Sequence, residues 1–433
     1  MPISTSDNGS NRFFVSRNFA LLWSAQAFAS FGEYVLGSTV VVWLITELAK
    51  GDPLLPTYVG AVVIASASPR VFVAPFAGTW VDRWRAKRTM VATDLLRAAA
   101  FIPIFLIVGG SSNSTIILAM LALLLTTASL SQFFNPSRAA VMQVVIPANR
   151  RVDASSKSTF AGLGVAVIAT MLGPGLFALF GPAPSLVINM ITFMVSAFLI
   201  ALTRNIQTIH ADQIEGGRYW TNFRNGFRTA WRSRSIRILL VGVSLYGVSL
   251  GINNSVLSLY ALDTLNLKPS EYGIVASMFP VGGLLGTLVA PIMLKRLGNE
   301  RAFSTSIVGL GLAYMGYAFT SSFLTAGIVM ALAGLAFSTY VVAQGPILQA
   351  ATPVGYMGRI TSITVPVLAL SSLIATFVSS QVISAFALAA ADQGAGIDPQ
   401  IFGWAIFGGA CVLTSGGFFM MLGLRNARLT EMS

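Results

Sequence analysis

Apolar and polar positions are segregated along this chain into long blocks. Twelve stretches are predominantly apolar: 19–46, 57–81, 89–109, 114–136, 158–180, 184–203, 237–261, 272–294, 303–321, 323–346, 361–385 and 401–423. Each meets or approaches the about 20 residues that an α-helix needs to cross the hydrocarbon core of a bilayer. Each predicts a helix, because an unclosed strand in lipid leaves its backbone N–H and C=O groups without partners. The links are short except for 204–237, which separates six stretches from six. The pattern therefore predicts an all-α integral membrane protein. Its twelve transmembrane helices would form two six-helix bundles, residues 1–203 and 238–433, with 204–237 as a cytoplasmic linker.

Composition agrees with this. Of 433 residues, 55% are hydrophobic and 10% charged, and the mean hydropathy is +0.75. That is more apolar surface than a soluble domain of this size can bury. The net charge of +12 would suit nucleic acid, but the cations sit mainly in the links, where they report topology. One set of alternate links carries Arg12 and Arg17, the cluster at 82–88, Arg150, Arg151 and Lys157, the 204–237 segment, Lys295, Arg296 and Arg301, Arg359, and Arg425 and Arg428. The other set carries only Lys50 and Lys268. Short basic loops resist translocation, so both termini are expected on the cytoplasmic side. Met1–Arg17 is polar and the first apolar stretch is too long for a signal h-region, so no cleavable leader is expected. Cys411 is the single cysteine and His210 the single histidine. No intramolecular disulfide, metal cluster or nucleophile–base arrangement can be assembled from them, which argues against an enzyme.

Within the linker, Tyr219–Arg237 predicts an amphipathic helix. Trp220, Phe223, Phe227, Ala230 and Trp231 share one face, and Arg224, Arg228 and Arg232 run beside it, a pattern suited to the inner headgroup layer. The two halves also look like weak repeats. Asn135-Pro136…Pro147…Arg151 closes the fourth stretch, and Gly345-Pro346…Pro353…Gly358-Arg359 closes the tenth.

Charges inside apolar stretches are expensive in lipid and mark function. Glu33 lies about 14 residues into the first stretch, near mid-bilayer at about 1.5 Å per residue. Arg70 reaches a similar depth from the second stretch. Arg97 lies near the middle of the third, with Asp94 one turn away on the same face, and Arg138 closes the fourth. Apart from Cys411 and tyrosines, the second half has no deep ionisable group. A carboxyl that alternates between dry and wet surroundings can take up and release a proton, which makes Glu33 the candidate carrier. A static Glu33–Arg70 or Glu33–Arg97 ion pair is the alternative, and for Asp94–Arg97 a structural or gating pair is favoured.

Three motifs carry a resemblance. Gly78-Thr-Trp-Val-Asp82-Arg83-Trp-Arg85-Ala-Lys87-Arg88 links the second and third stretches. It resembles the signature loop of the major facilitator superfamily. Phe133-Phe-Asn-Pro-Ser-Arg138 and Asp94-Leu-Leu-Arg97 are similar to motifs of its drug:proton antiporter branch, which includes macrolide exporters and siderophore exporters. Gly173-Pro174-Gly175 resembles the antiporter signature of a glycine-faced, proline-kinked helix, with its glycine pair truncated.

The resemblance implies that Gly78, Asp82, Arg83 and Arg88 gate access. It also implies that the first, fourth, seventh and tenth helices line a substrate cavity. Near mid-depth these offer Gln26 and Tyr34; Ser129 and Gln132; Tyr246, Asn253 and Asn254; and Phe337 and Tyr340. Amides, hydroxyls and aromatics in an apolar wall suit a bulky amphipathic compound. The expectation is a monomeric exporter in a bacterial-type cytoplasmic membrane, moving a drug or secondary metabolite by proton antiport with alternating access. Its partners would be membrane lipid and a small-molecule substrate, with no nucleic acid, metal or cofactor beyond the proton gradient. A lysophospholipid flippase or a solute importer of the same fold are the alternatives.

Overall fold

The structure, a computed structural model, describes residues 16–81, 84–147, 150–204, 234–351, 357–393 and 398–431. Among these residues every regular element is a helix. The first half comprises α1 (Arg17–Trp43), α2 (Leu55–Ala67), α3 (Pro69–Phe72), α4 (Ala74–Val81), α5 (Ala86–Ala99), α6 (Ile102–Val108), α7 (Asn113–Val145), α8 (Arg151–Phe180) and α9 (Pro182–Ala201). The second comprises α10 (Arg234–Leu259), α11 (Pro269–Leu297), α12 (Asn299–Ala318), α13 (Phe323–Ala351), α14 (Met357–Asp392) and α15 (Gln400–Glu431). The amphipathic segment expected at Tyr219–Arg237 lies outside the described residues up to 233, and its last residues open α10.

Local chemistry sets the ends and breaks. Ser16 caps α1 by accepting from the Phe19 N–H at 3.1 Å. The second apolar stretch is not one rod. Pro69 and Pro75 lack the N–H a helix interior needs and crowd the preceding turn, so the stretch divides into α2, α3 and α4. Pro103 likewise falls at the start of α6, which follows a break after α5. Lys87 donates to the carbonyls of Ala201 at 2.9 Å and Thr203 at 2.7 Å, placing a cation at the C-terminal end of α9.

Eleven of the described helical segments are long and apolar enough to cross a bilayer. The remaining expected span, 303–321, falls mostly on α12, whose Arg301, Ser304, Thr305, Ser306, Tyr314 and Tyr317 dilute its apolarity. α12 packs between α13 and α15 and keeps its hydroxyls bonded: Ser304 donates to Glu300 O and Thr305 to Arg301 O.

In the first half α1 packs on α8 and α9, and α5 on α7 and α9. In the second, α10 packs on α14 and α15, and α11 and α12 pack on α13. The α11–α13 crossing is close enough to require glycine. A β-carbon at Gly282 would run into the Ala331 carbonyl, and one at Gly334 into the Phe279 carbonyl.

The halves meet through α2 against α10 and α14, α3 against α14, and α8 against α11. Thr57 donates its N–H to Ser384 Oγ at 3.0 Å, and the two hydroxyls lie 2.8 Å apart. A β-carbon on Gly273 would meet the Met171 carbonyl at 2.5 Å and Pro174 Cγ at 3.3 Å. Both contacts lie at the end of the molecule where Asn113 donates to the Leu48 carbonyl, so the halves are closed together there.

Candidate functional site

α1, the broken second span and α7 enclose a cavity of ≈ 710 Å³. Its polar wall holds Glu33, Tyr34, Arg70, Ser131, Gln132 and Asn135, and its apolar wall includes Leu36, Val41 and Leu124. The second half contributes Tyr272 from α11 and Val365 from α14. The break in the second span matters here, because Arg70 sits on the short α3 and reaches the cavity between two proline-induced interruptions.

Behind the Glu33 wall lies a charge network joining four helices. Arg97 is fully buried and places Nη1 3.1 Å from Asp94 Oδ1 and 3.4 Å from Glu33 Oε1. Ser131 of α7 donates to Glu33 Oε1 at 2.6 Å, and Ser196 of α9 donates to Asp94 Oδ2 at 2.6 Å. The guanidinium also lies over the rings of Phe134 at 5.1 Å and Phe193 at 5.5 Å, where the ring faces attract a cation. Asp94 is fully buried, whereas the Glu33 side chain is 46% exposed and faces the cavity. Arg97 thus has a dedicated buried counter-ion in Asp94, and Glu33 is the carboxylate of the network that meets the cavity. Arg97 Nε and Nη2 make no hydrogen bond among the described residues. These orphan donors lie within the same buried group.

The expected site residues divide into three groups. Glu33, Asp94 and Arg97 come together, and Glu33, Tyr34, Arg70 and Gln132 line the cavity. Among the described residues Arg70 makes no ion pair, so the Glu33–Arg70 pair does not form here. Tyr246, Phe337 and Tyr340 lie elsewhere. They pack as an aromatic cluster inside the second half, with ring centroids 5.8 Å apart for Tyr246–Phe337 and 5.0 Å for Tyr246–Tyr340. Phe303 and Phe279 extend it. Bulky rings on α10 and α13 fill the interior of their own bundle rather than the seam. Asn253 and Asn254 line a separate cavity of ≈ 160 Å³, divided from the main one at Val41 and Tyr272, which line both.

Gln26 is half-buried and outside the cavity wall. Ser129 is also outside it and donates to its own helix at Leu125 O. Arg138 is half-buried with its Nε unbonded among the described residues. Gly173 packs against Val35 and Ser38 of α1, and Pro174 lies inside a continuous α8 beside Gly273. Of the gating loop, Gly78 falls in α4 and Arg88 is exposed on α5, while Asp82 and Arg83 lie outside the described residues. Ser131, Ser196 and Tyr272 were not legible as site residues. The one available signal was Thr127 and Ser131 at i, i+4 on α7, a polar stripe offset by two residues from Ser129.

The sequence profile of the Major Facilitator Superfamily matches residues 22–376. The chain is 23% identical over 318 residues to the multidrug efflux pump Tap of Mycobacterium tuberculosis, covering 70% of this chain and 74% of that protein. It is 21% identical over 373 residues to macrolide efflux protein A of Streptococcus pyogenes, covering 84% and 88% respectively. Among solved structures, the nucleoside transporter NupG superposes with a TM-score of 0.70 at 17% identity, over 93% of this chain and 99% of that one. A bacterial homologue of the iron transporter ferroportin, in an inward-facing state, gives 0.70 at 17% identity, over 94% and 98%.

Proposed function

The chain belongs to the Major Facilitator Superfamily, and from that premise we propose that it exports a hydrophobic or amphipathic small molecule, a drug or secondary metabolite, in exchange for protons. It is a multi-pass membrane transporter of that family. The direction of transport rests on the relatives, which are named as efflux pumps. The cavity's size and its split between a polar and an apolar wall suit a compound that partitions into membranes yet carries a few hydrogen-bonding groups. We take the membrane to be a cytoplasmic one with both ends inside, an orientation that the alternation of basic links supports. On that orientation the end closed by Thr57–Ser384 and Gly273 faces outward, and alternating access proceeds by rocking one half against the other.

The observation that carries the coupling is the division of labour around Arg97. Its charge is balanced by Asp94 at 3.1 Å, deep in the protein. Glu33 is therefore not needed to neutralise it and can lose its charge without leaving a bare buried cation. A proton entering the cavity meets Glu33 on the wall. When Glu33 is neutral its hold on Arg97 weakens, and the group held by Ser131 and Arg97 is released as a unit. Substrate and proton then compete for one cavity, which gives exchange.

Accumulation of a fluorescent dye and a macrolide in cells with and without the chain, each with and without a protonophore, tests the proposal. Lower accumulation that depends on the chain and disappears with the protonophore is expected. Accumulation raised by the chain, or lowered equally with the gradient collapsed, overturns it.

A further inference from the structure

A second cavity, of ≈ 690 Å³, opens on the opposite side of α5 from the charge network and shares no lining residue with the Glu33 cavity. At one end stand Arg85 and Arg88, both exposed, beside Trp84. Trp84 stacks on Phe133 with centroids 6.0 Å apart, and Trp80 closes the cluster at 6.0 Å from Trp84 and 6.3 Å from Phe133. The remaining wall is Thr89, Ala92, Thr93 and Leu96 of α5 with Leu130 of α7. The Thr89 and Thr93 hydroxyls donate to their own helix, to Arg85 O and Thr89 O respectively, so this wall is apolar in practice. None of the described side chains lining the groove is acidic.

Arg88 to Leu96 is eight residues, about 12 Å along a helix. That is close to half of the about 30 Å hydrocarbon core, the depth of one leaflet. Cations and tryptophans at the headgroup level, with an apolar channel running inward over a leaflet's depth, match the outline of a phospholipid. Two cations, with no acid among the described lining residues, favour a negative headgroup.

We propose that this groove binds an anionic phospholipid, its phosphate at Arg85 and Arg88 and one acyl chain along Ala92, Leu96 and Leu130. The site is independent of what the transporter carries, because it shares no lining residue with the Glu33 cavity.

Native mass spectrometry of the full-length protein, released from vesicles of equal phosphatidylglycerol and phosphatidylcholine, tests it. Wild type should retain one phosphatidylglycerol in preference to phosphatidylcholine. Arg85→Gln/Arg88→Gln should weaken that binding about twenty-five-fold, the product of two cations each worth about fivefold at an anionic surface. Arg85→Lys/Arg88→Lys should keep most of it. Ala92→Phe fills the channel with both arginines intact and should also abolish retention. Arg296→Gln/Arg301→Gln removes equal charge elsewhere and should leave it unchanged. Equal retention of both lipids, retention unaffected by the Gln pair and by Ala92→Phe, or equal loss in the Arg296/Arg301 control would overturn the site. Inorganic phosphate added in excess should not displace the lipid; displacement would reduce the site to an anion contact and overturn the acyl-chain assignment.

Discussion

Arg97 is held more firmly than any other charge described in the first half. It is fully buried, meets two carboxylates and lies over two phenyl rings. Removing one partner of a buried ion pair costs about 3–5 kcal/mol, because the remaining charge stays in low dielectric. Asp94→Asn should therefore lower the melting temperature of the purified transporter markedly. Glu33→Gln should lower it less, because Glu33 is 46% exposed and Arg97 keeps Asp94 at 3.1 Å as its buried counter-ion. Thermal melting of the two variants beside wild type checks this, and equal losses would contradict the division between the buried Asp94–Arg97 pair and the cavity-facing Glu33. Ser131→Ala removes the hydroxyl that fixes Glu33 Oε1 at 2.6 Å. It should leave the fold intact and weaken proton coupling several-fold, as read from transport at fixed substrate and varied gradient.

The charges of this network were legible from sequence, because deep acids and bases in apolar stretches stand out. The hydroxyls that complete it were not, since serine in a membrane helix commonly bonds its own preceding turn and leaves no pattern. The aromatic residues on α10 and α13 misled for a related reason. Mid-depth position was readable, but helix rotation was not, and Tyr246, Phe337 and Tyr340 turn into their own bundle.

At the scale of elements, prolines and glycines decide what the apolar pattern leaves open. Twelve apolar stretches could be counted, yet the second is three helices, because Pro69 and Pro75 interrupt its hydrogen bonding. The interruption carries Arg70 into the cavity. Gly273 governs the seam between halves. With a β-carbon 2.5 Å from the Met171 carbonyl, Gly273→Val cannot keep the present contact of α8 and α11. It should shift the population toward the state opened at this end, as measured by accessibility of a cysteine introduced at Thr57. Unchanged accessibility would show that the seam adjusts elsewhere.

The complementary variant locks the seam. Thr57 Oγ1 and Ser384 Oγ are 2.8 Å apart, so Thr57→Cys/Ser384→Cys should form a disulfide on oxidation. Transport should stop when it forms and return on reduction. Continued transport by the cross-linked protein would exclude opening between α2 and α14.

For the whole molecule, length, hydropathy and the alternation of basic links were enough to anticipate an all-α membrane fold, and the superfamily profile over residues 22–376 agrees. The physical reason is that a bilayer permits few backbone solutions, so an apolar period of about 20 residues is close to a structural assignment. The interior of the seam was harder to read, because close helix approach depends on which small residues face each other, and periodicity does not encode that pairing. Two halves are closed at one end, and the cavity of the first half meets the second through Tyr272 and Val365. We propose that Glu33, the one carboxylate among the described lining residues, exchanges a proton because Arg97 already has Asp94 as its partner.

Substrate-induced proton release from the purified protein, wild type beside Glu33→Gln, tests that account most directly. The measurement uses a macrolide as the probe substrate and is run with substrate binding and thermal melting on the same samples. Wild type should release protons on binding. Glu33→Gln should melt near the wild-type temperature, bind the macrolide within a few-fold, and release none. A stable variant that binds and releases as many protons as wild type would contradict the account and remove Glu33 from the coupling.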